Sequence, residues 1–219
     1  MNKKYLVILI LFILLIKSEC LLGGDSNYGL YSGLNFSKYV GSSNISRKFK
    51  VGPLFGYFFE KQISNSTYFN PGFMLSWKGT IEEYYHWPNS APITYNYSKA
   101  FIEIPIMFRF YPLQTDRLKP FMNYGIYMGF ELSHDRENLS NQTTYDPNAI
   151  ASTDAFELGF LMGYGVVFPV KEYKFGIEGR FSRSFMTEYG RYGHQGGSKS
   201  SVYSIIVSII FKDDKFNFK

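Results

Sequence analysis

The chain has almost no cysteine, little tryptophan, few charges and a single long apolar run, and each shortage removes a class of protein. One residue of 219 is cysteine, Cys20, and it lies near the front, so the body has no disulfide and no thiolate metal site. The apolar run, Tyr5 to Ile16, spans twelve residues, short of the ~20 that cross a bilayer as a helix. A mean hydropathy of −0.15 also excludes a helical membrane protein. Charged residues make up 19% and carry a net +5, but no Lys/Arg block gathers them into a nucleic-acid footprint. Aromatics are abundant instead, at 20%, with 19 Tyr, 22 Phe and 20 Gly.

The front of the chain reads as an address. Asn2-Lys3-Lys4 is a basic start, Tyr5 to Ile16 an apolar centre, and Lys17, Ser18 and Glu19 a polar end. Residues 1–22 are therefore expected to be a signal peptide that is removed, leaving an exported domain over 23–219. Attachment of lipid to Cys20 is the alternative. It is disfavoured because Glu19 and Lys17 stand where small or aliphatic residues are expected.

The body divides into eight segments of alternating pattern, 28–36, 51–60, 67–78, 101–111, 121–132, 156–168, 173–184 and 202–211. Each is long enough to cross a bilayer as a tilted strand of about 9 to 11 residues. The intervening stretches 37–50, 79–100, 133–155 and 185–201 are long and polar, and 61–66, 112–120 and 169–172 are short, with Pro112, Pro120 and Pro169 as turn formers. Long and short in strict alternation is the rule of outer-membrane barrels, long outside and short in the periplasm.

Within the strands two faces separate. Ile102, Ile104, Ile106, Phe108 and Phe110 oppose Glu103, Met107 and Arg109; Phe156, Leu158, Phe160, Met162 and Tyr164 oppose Glu157, Gly159, Gly163 and Gly165. A lipid-facing side requires bulky apolar groups, because Lys or Arg there costs about 2 to 4 kcal/mol at mid-bilayer. A narrow lumen has room for glycine, serine and paired charges. Nine charges of the strand cores, Glu60, Lys78, Glu103, Arg109, Glu131, Glu157, Lys174, Glu178 and Arg180, fall opposite the bulky face.

The expected fold is thus all-β: an eight-stranded antiparallel transmembrane up-and-down barrel with four long external loops and three short periplasmic turns. A soluble sandwich or lipocalin-like barrel, the competing reading, would turn the bulky face inward and the charges out. Closure follows from the membrane reading, since an open sheet edge in hydrocarbon leaves unpaired backbone groups at several kcal/mol each.

The stretch Phe101-Ile-Glu-Ile-Pro-Ile-Met-Phe-Arg-Phe-Tyr-Pro112 resembles the E-x-P strand of the PorT-like outer-membrane barrel family. Gly33-Leu-Asn-Phe-Ser37, Gly52-Pro-Leu-Phe-Gly56, Phe73-Met-Leu-Ser-Trp-Lys-Gly79, Pro120-Phe121 before Gly125, Gly163-Tyr-Gly165 and Gly176-Ile-Glu-Gly-Arg-Phe-Ser182 resemble other strands of that family in order. The resemblance covers about residues 28 to 211. It implies a Bacteroidetes-type source and a barrel in the outer membrane. One family member supports protein secretion, but no single activity is implied.

Candidate chemistry is sparse. His86, His134 and His194 all fall in expected external loops, His134 beside Ser133 and Asp135, and no motif of lipid A deacylases accompanies them. A non-enzymatic barrel is expected, with no catalytic residue, cofactor or metal; the alternatives are a lipid A deacylase- or acyltransferase-like enzyme and a small pore. The nine lumenal charges, five acidic and four basic, are expected to pair and fill the bore, with Arg180 bonding Glu178, Glu157 or Glu131. Tyr28, Tyr57, Trp77, Tyr111, Tyr124, Tyr164, Tyr173 and Tyr203 suit interfacial girdles. Tyr84, Tyr85 and Trp87 suit a loop that meets a protein partner, and Gly190 to Gly197 a flexible tip. The remaining expected partners are outer-membrane lipid, lipopolysaccharide and the barrel-assembly machinery. Function is expected in surface binding or secretion.

Overall fold

The computed structural model describes residues 26–41, 46–84, 93–113, 115, 117–140, 156–170, 173–186 and 198–212. The expected signal peptide, Cys20, Tyr85, His86, Trp87, His194 and the Gly190–Gly197 tip lie outside them. Eight strands run in chain order: β1 Ser26–Val40, β2 Ser46–Gln62, β3 Thr67–Tyr84, β4 Ile93–Phe110, β5 Lys119–Asn138, β6 Phe156–Val170, β7 Tyr173–Ser184 and β8 Lys199–Lys212. Every neighbouring pair is antiparallel, and β1 closes on β8. Closure leaves no sheet edge along the wall, which is what a hydrocarbon surround demands.

The register sets the tilt. Following paired residues once around, from Ser26 through Lys61, Phe69, Phe108, Tyr124, Met162, Phe181 and Tyr203, returns to β1 at Phe36, ten residues further on. Strands in such a barrel tilt by roughly 35–45°. The same slip orders inward residues from the end that holds Glu60 to the end that holds Glu82.

The two faces fall as the alternation requires. Leu30, Val51, Phe55, Tyr124, Ile205 and Val207 stand exposed around the wall, a continuous apolar belt no water-soluble surface tolerates. Inside are Glu103, Arg109, Glu178 and Arg180, all buried. The soluble alternative is overturned by this arrangement, because it needs the reverse. Glycines on the inner wall make room for larger neighbours: a Cβ on Gly165 would strike the Phe121 ring, and one on Gly163 the Glu178 carboxylate.

The strands are longer than their membrane segments. β2 to β5 reach 17 to 20 residues, whereas β6 to β8 have 12 to 15. Residues 46–50, 79–84, 93–100 and 133–138, expected as loop, are strand. No apolar face marks them because they rise above the belt, and cross-strand pairs such as Arg47–Glu82 (2.7 Å) and Lys48–Glu83 (2.6 Å) hold the ladder together instead. A bulge lies between Phe49 and Leu54, and another accompanies the pairing change at Ala100/Phe101. Each inserts an extra residue that switches which positions face inward beyond it.

Candidate functional site: a layered charge ladder in the bore

Two ionic layers fill the bore. The lower one is a continuous chain. Asn27 donates to Glu60 Oε2 (3.2 Å), and Arg109 Nη1 meets Glu60 Oε1 at 3.1 Å. The Tyr111 hydroxyl donates to the same oxygen (3.1 Å), and Arg109 Nε donates to Asn123 Oδ1 (2.9 Å). Arg109 Nη2 then stands 3.8 Å from Glu178, which Arg180 grips with two bonds, Nε to Oε1 at 2.7 Å and Nη2 to Oε2 at 3.0 Å. Two acids face two guanidiniums, so the layer is neutral. Planar guanidiniums suit it because their fork matches a carboxylate and their faces stack on rings: Arg109 lies 4.0 Å from the Phe121 centroid, and Arg180 lies 5.6 Å from that of Tyr31.

The upper layer is built on lysine. Lys78 Nζ contacts Glu103 and stands 3.0 Å from Glu157 Oε2, whose other oxygen accepts from the Tyr127 hydroxyl (2.8 Å). Higher up, Lys99 meets Glu131 at 3.3 Å, and Glu131 also contacts His134 Nδ1 at 2.8 Å. Three carboxylates here face two ammonium groups. Beside this layer Asn35 ties three strands together. Its Nδ2 donates to Ser76 Oγ (2.9 Å) and to the Trp77 carbonyl (3.2 Å), and its Oδ1 accepts from Ser204 (2.8 Å).

Apolar side chains pack around and between the two layers. Leu54, Met74, Leu161 and Ile206 are all buried there. Apolar and charged side chains therefore interleave along the axis, with Ile206 paired to Glu178 and Met74 to Glu103. Seven of the nine expected charges are buried, Glu131 has a covered carboxylate at the upper end, and Lys174 is half-buried at the lower end. Arg180 bonds Glu178 and contacts neither Glu157 nor Glu131.

Three features were missed or misplaced by sequence. Lys99 and the Arg47–Glu82 pair join the inward set, but their segments had been read as loop. His134 was placed in a loop and sits on β5, bonded to Glu131 and not to Ser133. Tyr111 was assigned to the girdle and is buried inside. Its odd position continues the inward phase of Glu103 and Arg109, a signal present in the sequence. Among the described residues no cluster of His, Cys, Asp or Glu could hold a metal ion.

A family model described as an outer membrane protein beta-barrel domain matches residues 18–190. No curated protein matches the sequence. Among solved structures, the outer membrane protein OprG of Pseudomonas aeruginosa aligns with a TM-score of 0.52 at 10% identity, covering 87% of this chain and 97% of that one. Ail, the attachment invasion locus protein of Yersinia pestis, aligns at 0.42 and 10% identity, covering 87% and 100%. Neisserial surface protein A aligns at 0.43 and 11% identity, covering 83% and 96%. At such identities the likeness is one of fold.

Proposed function

Since the chain belongs to the outer-membrane β-barrel domain family and is thereby a bacterial outer-membrane protein, we propose that it works as a non-enzymatic barrel with a closed bore, an accessory component in surface binding or secretion. The observation that carries this reading is the filled lumen: two ionic layers and the apolar groups packed with them leave buried side chains where a pore would need a hydrated path. Work done by such a molecule falls to its outer end, where β2 to β5 lift a polar wall past the belt. The E-x-P strand at Phe101–Pro112, similar to that of PorT-like barrels, supports a Bacteroidetes-type source and is compatible with either accessory role. Residues 1–22 are the export signal in this reading, removed before insertion, with the barrel-assembly machinery acting on the remainder. The nine lumenal charges serve as a seal and not as a reaction centre.

Two experiments address these points. Affinity purification from outer membranes is expected to capture a stable protein partner, lost when segments 85–92 and 139–155 are shortened. A chain that instead purifies alone and acts on lipid A, with that activity abolished by His134→Ala, overturns the reading in favour of an enzyme. Proteolysis of intact cells is expected to cut within 139–155 and to spare 63–66 and 171–172; the reverse pattern inverts the topology.

A further inference from the structure

The outer wall near the external end is polarised in charge. On β5, four strands round from β1, the exposed Asp135 and Glu137 are acidic. On β7, β8 and β1 the corresponding level is basic. Lys38 and Arg183 both pair with Ser201, one from each side of β8, and Lys199 lies two residues along β8, opposite Val40. Even positions of β1 and odd positions of β7 and β8 point outward, as the exposed Leu34, Ile177 and Ile205 show, so all three cations stand on the lipid side. Strand spacing puts Lys38 and Arg183 about 10 Å apart at the backbone, with Lys199 about 7 Å from the row between them. Among the described residues, none of the three has an acidic partner. Lys50 and Lys48, the next bases round the wall, are turned to Asn96 (2.7 Å) and Glu83 and do not join them.

Beside and beneath the cations is an aromatic shelf, with Phe160 paired to Arg183 and with Tyr203 and Phe181 one outward step toward the belt. Tyr203 packs on Phe181 (5.0 Å between centroids) and on Phe49 (6.0 Å), and Phe160 lies 5.9 Å from Phe181 and from Phe185. Lys38 Nζ sits 4.5 Å over the Phe49 ring. Aromatic rings at this height mark the boundary of hydrocarbon and headgroup. A triangle of cations with no acidic partner among the described residues, beside such a boundary and open sideways to the leaflet, complements a lipid with a phosphorylated headgroup above apolar chains. A soluble protein partner would have to reach past that leaflet.

We propose that Lys38, Arg183 and Lys199 form a binding site for the phosphorylated headgroup of lipid A in the outer leaflet, with its acyl chains along the Tyr203–Phe181–Phe160 shelf. Arg183 supplies a fork for phosphate oxygens, and the two lysines supply point charges. The site also fixes the barrel's rotational face toward one lipid, leaving the acidic β5 sector to face other neighbours.

The test uses the full mature barrel in detergent micelles and three probes: bis-phosphorylated lipid A, the same lipid with both phosphates removed, and inorganic phosphate. Binding is read by native mass spectrometry and by titration. K38Q/R183Q/K199Q is expected to bind lipid A roughly 100-fold more weakly, since each basic residue near an anionic lipid surface contributes about a factor of five. K48Q is expected to bind like the parent, and K38R/K199R to retain affinity. The dephosphorylated lipid should bind the parent as weakly as lipid A binds the triple variant. Equal binding of lipid A by parent and triple variant, equal binding of the two lipids by the parent, or full displacement by inorganic phosphate overturns the proposal. Heat-dependent gel mobility checks that each variant is folded, and R183Q alone carries the test if the triple variant is not.

Discussion

The lower and upper ionic layers solve the same problem with different chemistry. Below, Glu60 and Glu178 meet Arg109 and Arg180, two charges of each sign joined in one chain. Above, Glu103, Glu157 and Glu131 face the ammonium groups of Lys78 and Lys99, and His134 also meets Glu131. Desolvated charge is tolerated when it is matched and fully bonded, and Arg, with five donors, can match more than one carboxylate at once. The layer further from the external mouth is the balanced, arginine-forked one. The acid-rich lysine layer lies toward that mouth. Burial does not separate the layers, since Lys78 and Glu103 are as covered as Arg109 and Glu60; what differs is the balance of charge.

Breaking the lower layer should cost most. Arg109→Ala strips Glu60, Glu178 and Asn123 of a shared partner, and about 3–5 kcal/mol of stability should be lost, read as a fall in the urea midpoint of the lipid-reconstituted barrel. Lys78→Met in the upper layer should cost less, about 2–3 kcal/mol in the same assay, because it removes two charged contacts where Arg109→Ala removes three polar partners. Equal losses from the two substitutions would erase the difference drawn between the layers. Asn35→Ala, which unlinks β1 from β3 and β8 without removing a charge, is expected to cost about 1–2 kcal/mol. The sharpest contrast is between two isosteric changes. Glu178→Gln should be strongly destabilising because it leaves Arg180 buried without its counter-ion. Glu157→Gln should move the midpoint by less than about 1 kcal/mol, since it removes the surplus acid and keeps an acceptor for Tyr127.

Much of this was legible in residue order because the membrane imposes a two-residue period. Ile102 to Phe110 against Glu103 to Arg109 assigns β4's faces before any coordinates, and the same parity puts Glu178 and Arg180 in the bore. The period fails where the membrane ends. Above the belt, Ser98-Lys99 and Glu82-Glu83 have no apolar face to mark them, so β3 and β4 read as loop through 79–100 and Lys99 was lost from the ladder. The bulges at Phe49–Leu54 and at Ala100/Phe101 shift the phase by one residue, which placed Arg47 and His134 beyond extrapolation. Pairing is harder: Glu178 lies two residues from Arg180 on the same inward face of β7, but only the ten-residue slip around the barrel decides the cross-strand partners, Arg109 with Glu60 and Lys78 with Glu157.

The central claim is that these two layers and the apolar side chains packed with them, Leu54, Met74, Leu161 and Ile206, close the bore. Single-channel recording of the purified, folded barrel in planar bilayers tests it directly. A flat baseline under applied voltage is predicted for the unaltered protein, and a large, stable conductance would contradict the account.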